Sequence, residues 1–111
     1  MAKFEIKDGV AIIPEGTTMI RSYAFDDCRT LESIVIPESV TEIGYAAFSG
    51  CSSLKSVTIP DSVTWIGPDA FAGCTSLKSI TIPESVTEIK NSVFECCISL
   101  ESITISRSIT E

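Results

Sequence analysis

The sequence contains no histidine. Imidazole acid, base or nucleophile-activating chemistry is thereby excluded, and so is any zinc site that uses a histidine ligand. Positive charge is scarce as well: eight Lys and Arg stand against fifteen Asp and Glu, a formal net charge of −7 over 111 residues. A surface of that sign repels nucleic acid and anionic membrane, because both require a basic field. No apolar run approaches the roughly 20 residues of a membrane span. The opening Met1-Ala-Lys-Phe-Glu-Ile also lacks the apolar stretch of a signal peptide. Charged residues make up only 21% and hydrophobic ones 44%, a balance that folds and does not stay disordered. The expectation is an acidic folded domain with no cofactor, no nucleic-acid partner and no membrane insertion.

Against these absences stands one strong positive feature, a repeat of 23 residues. Cysteine recurs at Cys28, Cys51, Cys74 and Cys97, and leucine at Leu31, Leu54, Leu77 and Leu100. Isoleucine follows the same interval at Ile36, Ile59, Ile82 and Ile105, and phenylalanine at Phe25, Phe48, Phe71 and Phe94. Residues 51–73 and 74–96 agree at thirteen of twenty-three positions.

Each unit reads as one coil of a solenoid. Ser56-Val57-Thr58-Ile59 alternates polar and apolar, the period of a strand with one buried face. Pro60 ends it, since proline cannot donate to a ladder. Val63 to Ile66 alternates again, which predicts a second, shorter extended piece. Ala70, Phe71 and Cys74 fall at helical spacing, so one helical turn is expected between Gly67 and Cys74. Eight inward positions per coil then fill the tube: Cys51, Leu54, Val57, Ile59, Val63, Ile66, Ala70 and Phe71 in the second full repeat. No coil buries these alone, so stacking on its neighbours must stabilise the fold.

The pattern C-x-x-L-x-S-I-x-I-P-x-S-V-T-x-I-G-x-x-A-F resembles the BspA-like leucine-rich repeats of bacterial and protist surface proteins. The resemblance covers residues 10–111. It implies an α/β leucine-rich-repeat solenoid with a parallel sheet on its concave side and short extended or helical turns on the convex side. It further implies a non-enzymatic adhesion module at the cell surface or secreted, binding a protein or a glycan. No binding residue transfers with it, because the shared motif is structural core.

The ends depart from the pattern. Residues 1–27 read as an N-terminal hairpin cap and a degenerate first coil, with Phe4 to Lys7 meeting Val10 through the turn Asp8-Gly9. Residues 28–50, 51–73 and 74–96 are full repeats, and 97–111 an incomplete last one. Lys90 stands where Gly44 and Gly67 stand, Cys96 where Gly50 and Gly73 stand, and Ser106 where four prolines recur. A final coil with no cap exposes strand edges and core rows. Two readings follow: a piece of a longer array serving as a structural or spacer segment, or a homodimer through open C-terminal ends.

Other constellations point away from chemistry. Cysteines in one row of neighbouring coils, about 4.8 Å apart, lie within disulfide range, yet their common direction suits stacking of buried thiols better. A linear row does not converge on a metal. Cys96 lies outside it, either neutral or a solvent-facing reactive thiol. Glu15, Glu38, Asp61 and Glu84 each follow a repeat proline, as solvated turn formers or as a weak site for calcium or a cationic partner. The turn serines Ser39, Ser62, Ser85 and Ser108 have no base beside them, and bonds to nearby backbone account for them. No catalytic, cofactor-binding or metal-ligating residue emerges, and no enzyme is expected.

A partner surface is the remaining candidate. Ser33, Ser56, Ser79 and Ser102, with Val35, Thr58, Thr81 and Thr104, make a flat, hydroxyl-rich outward face, rimmed by Glu32, Lys55, Lys78 and Glu101. Such a face is either solvated β-surface or a ligand platform. Trp65 takes an outward position held by Met19, Glu42 and Glu88 in other coils. It either packs laterally on Met19 or Pro68, or contacts a partner. A sheet of four or five coils is only some 20 Å long, so a standard interface of about 800 Å² per partner would consume the whole face.

Overall fold

The structure, a computed structural model, describes residues 6–106. It is a solenoid whose coils are joined through three short sheets. The chain opens with β1 (Ile6–Lys7) antiparallel to β2 (Val10–Ile12). Asp8 (φ 54°) and Gly9 (φ 81°) both take positive φ between them, the geometry that lets a two-residue hairpin match strand twist. Phe4 and Glu5 of the expected hairpin lie outside the described residues.

Strand β2 pairs in parallel with β4 (Ser33–Val35) through Val10↔Ser33, Ala11↔Ile34 and Ile12↔Val35. The second extended piece of each coil builds a separate parallel sheet, β3 (Met19–Ile20), β5 (Glu42–Ile43) and β7 (Trp65–Ile66). The third sheet continues the first-strand positions with β6 (Ser56–Thr58), β8 (Ser79–Pro83) and β9 (Ser102–Ser106), all parallel. Every parallel register is offset by 23 residues, as the repeat demands.

All eight inward positions of the 51–73 repeat are buried. Phe25, Phe48, Phe71 and Phe94 stack in order, with successive ring centroids 5.3, 5.1 and 6.1 Å apart. The cysteines cross-link coils by hydrogen bonds: Cys51, Cys74 and Cys97 each donate to the carbonyl of the preceding coil's phenylalanine (Phe25, Phe48 and Phe71), all at 3.1 Å. Among the described residues no disulfide joins any of the five cysteines. The turn serines work the same way. Ser39, Ser62 and Ser85 donate to Thr17, Val40 and Val63 carbonyls at 2.7, 2.6 and 2.6 Å. Their principal partners lie one coil back, so these bonds hold coils together and do not merely shape the turn, contrary to the local role expected.

The helical turn expected at Gly67–Cys74 does not form. Asp69 and Gly73 take positive φ (61° and 75°), as do Ala46 and Gly50 one coil earlier (54° and 77°). Left-handed residues four apart break any helix into successive turns. Among the described residues the one helical element is a 3₁₀ turn at Asn91–Phe94.

Lys90 explains a second departure. Gly44 and Gly67 sit where the coils approach closely: a Cβ on Gly44 would lie 2.5 Å from the Ser22 backbone nitrogen, and one on Gly67 2.7 Å from that of Tyr45. Both glycines use the approach to donate to the preceding coil, Gly44 to Ile20 and Gly67 to Ile43, each at 2.8 Å. Lys90 carries the Cβ that this spacing forbids. The second sheet accordingly ends at β7, and Ile89 is 37% exposed where Ile66 is 2%.

Candidate functional site: an interrupted sheet face

The outward positions of the first-strand row fall into register as expected. Ser56, Ser79 and Ser102 align across β6, β8 and β9, and Thr58, Thr81 and Thr104 align beside them. Thr81 is half-buried by its flanking rows, and the other five are exposed. Strand alternation produces this arrangement: Val57, Ile80 and their kin turn inward, so the intervening residues face solvent.

On the first sheet the row continues as Ser33, half-buried, and Val35, 54% exposed. Residue-level reasoning missed Ile12, which extends this row one coil earlier in register with Val35 and is 67% exposed. Counting back 23 residues from Val35 would have found it. The face is therefore apolar at Ile12 and Val35 and hydroxyl-bearing from Thr58 onward.

Between these halves the sheet is broken. No ladder joins β4 to β6. At the other junctions Ile13 donates to Val35 (3.2 Å) and Ile59 to Thr81 (3.1 Å), whereas no equivalent bond from Ile36 to Thr58 is made among the described residues. The coils remain joined at the near end of the gap, where the Lys55 N–H donates to the Glu32 carbonyl at 3.2 Å. A cleft of about 260 Å³ opens there, lined by Ile34, Val35, Ile36, Glu38, Thr58 and Pro60. Ile36 is left half-buried, although Ile13, Ile59 and Ile82 in the same row are 1–2% exposed. No residue at the junction departs from the repeat in a way that accounts for the opening.

Trp65 is not part of this face. It belongs to the second sheet, 44% exposed at the edge strand β7. Its register partner is Glu42, which separates it from Met19. A further exposed pair was not expected: Tyr23 and Tyr45 meet edge to face at 5.4 Å. The Asp69 carboxylate beside Tyr45 raises its phenol above the ordinary value.

The cysteine row carries no accessible chemistry at its centre. Burial raises both the Cys51 and the Cys74 thiols, Cys74 up to about 12. Cys96, on a positive-φ backbone (63°), is exposed. Glu15, Glu38, Asp61 and Glu84 are all exposed in their turns, and no cluster of three or more metal-binding side chains occurs among the described residues. Nor is any described helix long and apolar enough to cross a membrane.

The family model for the BspA type leucine-rich repeat region matches residues 7–111, in six copies. The chain belongs to the BspA-type leucine-rich repeat family. Solved structures agree with that assignment. A T. pallidum leucine-rich repeat protein shares 38% identity at a TM-score of 0.82, over 86% of this chain and 44% of that one. A leucine-rich cell surface protein from Faecalibacterium prausnitzii is 38% identical at 0.69, over 92% of this chain and 33% of the other. A leucine-rich repeat protein from Bacteroides capillosus is 29% identical at 0.76, over 93% and 92%. The BspA-type repeats here thus span less than half of the first two of these relatives. A comparison with curated proteins gives no match. Membership in this family makes the chain a repeat scaffold, a fold that exposes an ordered surface.

Proposed function

We propose that this chain is a non-enzymatic protein-binding module of adhesion type, working at the cell surface through the first-strand face. The observation that carries this reading is the register of Ser56, Ser79 and Ser102 beside Thr58, Thr81 and Thr104. This places two hydroxyl rows on a rigid sheet, where each side chain offers both a donor and an acceptor. The cell-surface name of the F. prausnitzii relative supports the location. The test is a protein and glycan array probed with the wild-type chain and with a Thr58→Lys/Thr81→Glu variant. Wild-type signal that falls at least about tenfold in the variant is expected, since a buried mismatch of this kind costs 1.4 kcal/mol or more. A wild-type signal the variant leaves unchanged refutes the face. Trp65→Ala should fold normally and lose signal only for partners that also reach β7.

A second reading, end-to-end association of two copies, is favoured by the last coil. Ile103 and Ile105 are 46% and 50% exposed, whereas Ile80 and Ile82 in the same rows are 1%. Sedimentation of the 111-residue chain over a hundredfold concentration range should show a dimer that Ile103→Asp/Ile105→Asp abolishes. A concentration-independent monomer ends this reading.

A further inference from the structure

The break between β4 and β6 is where the face departs from a uniform surface, and it has a definite chemistry. Its lining is mostly apolar, with Ile34, Val35, the half-buried Ile36 and Pro60 beside Glu38 and Thr58. Its edges are backbone. The Ile36 N–H, whose counterparts Ile13 and Ile59 donate across the ladder, makes no such bond to the Thr58 carbonyl among the described residues. The coils are tied on both sides of the opening, Lys55 to Glu32 at 3.2 Å and Ser62 to Val40 at 2.6 Å, so a ligand lies over it and fills it with a side chain.

Volume limits what fits. About 260 Å³ is below the roughly 300–1,000 Å³ of pockets that enclose small-molecule ligands, and matches one or two side chains. Charge selects further. Glu38 lines the cleft, and Glu15 and Asp61 occupy the same turn position in the coils on either side, all three exposed. Where the Lys55 N–H bonds the Glu32 carbonyl beside the opening, the two residues carry opposite charges and add no net charge.

We propose that the β4–β6 cleft is a recognition site for an extended peptide that seats an aliphatic side chain on Ile34 and Ile36 and places a basic residue beside Glu38. The basic residue sets orientation and specificity, while the aliphatic anchor supplies apolar burial. This site rests on the reading of the sheet face as a binding surface and gives that surface its ligand class.

The test is amide chemical-shift mapping on the ¹⁵N-labelled full chain with three probes. These are acetyl-Lys-Ile-Val-Lys-amide, the matched acetyl-Glu-Ile-Val-Glu-amide, and acetyl-Lys-Gly-Gly-Lys-amide. The first should shift the amides of Ile34, Ile36 and Thr58. The acidic and glycine peptides should bind at least about tenfold more weakly, one lacking the charge match and the other the anchor. Glu38→Lys, a change at an exposed turn that leaves the core intact, should invert the preference between the basic and acidic peptides. Shifts confined to Thr81, Ser102 and Thr104 overturn the cleft and leave the face reading standing. Equal affinity for all three probes, or silence at Ile36, also overturns it. The array result with Thr58→Lys/Thr81→Glu decides the broader reading on its own.

Discussion

At the scale of single residues, the cysteine row shows how a chemically active side chain becomes a packing element. Cys51 and Cys74 are fully buried, and each thiol donates to a phenylalanine carbonyl. Burial disfavours the thiolate, so both titrate above the ordinary 9.0, Cys74 near 12. The sign of the linkage follows. A group whose folded pKa is raised contributes stability below its unfolded pKa and loses it as pH climbs toward the folded one. Stability should therefore hold to about pH 9 and fall between 9 and 12, and Cys51→Ala/Cys74→Ala should flatten that slope in urea titrations. At neutral pH the same variant should cost about 2–4 kcal/mol, from two lost hydrogen bonds and two small cavities. A thiol reagent at pH 8 should modify Cys96 quickly, half-buried Cys28 and Cys97 slowly, and Cys51 and Cys74 only on unfolding. The inward direction of this row was legible from the 23-residue interval alone. Its hydrogen bonds were not, because the acceptor carbonyls belong to another coil and spacing says nothing of backbone orientation.

At the scale of elements, the close approach of consecutive coils decides where strands form. Gly67 has ordinary φ, so it is needed for space and not for conformation: any Cβ would strike the backbone of Tyr45 and Gly44 at 2.7–2.8 Å. Gly67→Ala should destabilise by about 1–3 kcal/mol, the usual cost of overpacking a site that cannot yield. The converse change is more informative. Lys90→Gly should let the fourth coil settle onto β7 and donate to the Ile66 carbonyl. Slowed hydrogen exchange at residue 90 and deeper burial of Ile89 would register it, and an unaltered exchange rate would show that Lys90 is not the obstacle. The substitution of Lys90 for glycine was visible in the sequence, but its effect depends on a coil spacing that only the structure supplies. The hairpin was legible in full detail at its turn, since Asp8-Gly9 is one of few pairs able to hold two positive φ angles. The missing β4–β6 ladder was not, because Ser33 to Ile36 and Ser56 to Ile59 both obey the repeat.

At the scale of the whole molecule, the break raises the question of what joins the coils on either side. The second sheet crosses the junction, with Glu42 paired to Trp65 and Ile43 to Ile66. Ser62 donates to Val40 at 2.6 Å. Phe48 is stacked on both sides, 5.3 Å from Phe25 and 5.1 Å from Phe71. A solenoid behaves as a chain of units coupled to nearest neighbours, and its cooperativity is set by its weakest interface. The β4–β6 junction lacks its first-strand ladder, so the Phe48–Phe71 stack carries a larger share of the coupling there than the Phe25–Phe48 stack does at the junction where both sheets are continuous. Phe48→Ala should cost about 3–5 kcal/mol, as for any large buried aromatic. It should also uncouple residues before Val40 from those after Leu54, so that calorimetry of the variant shows two transitions where the wild type shows one. Phe25→Ala, whose ring stacks on Phe48 across the junction where both sheets are continuous, should lower stability by a similar amount while preserving a single transition. If both variants unfold in one step, the second sheet alone is enough to bind the halves together, and the opening between β4 and β6 is a local feature of the surface.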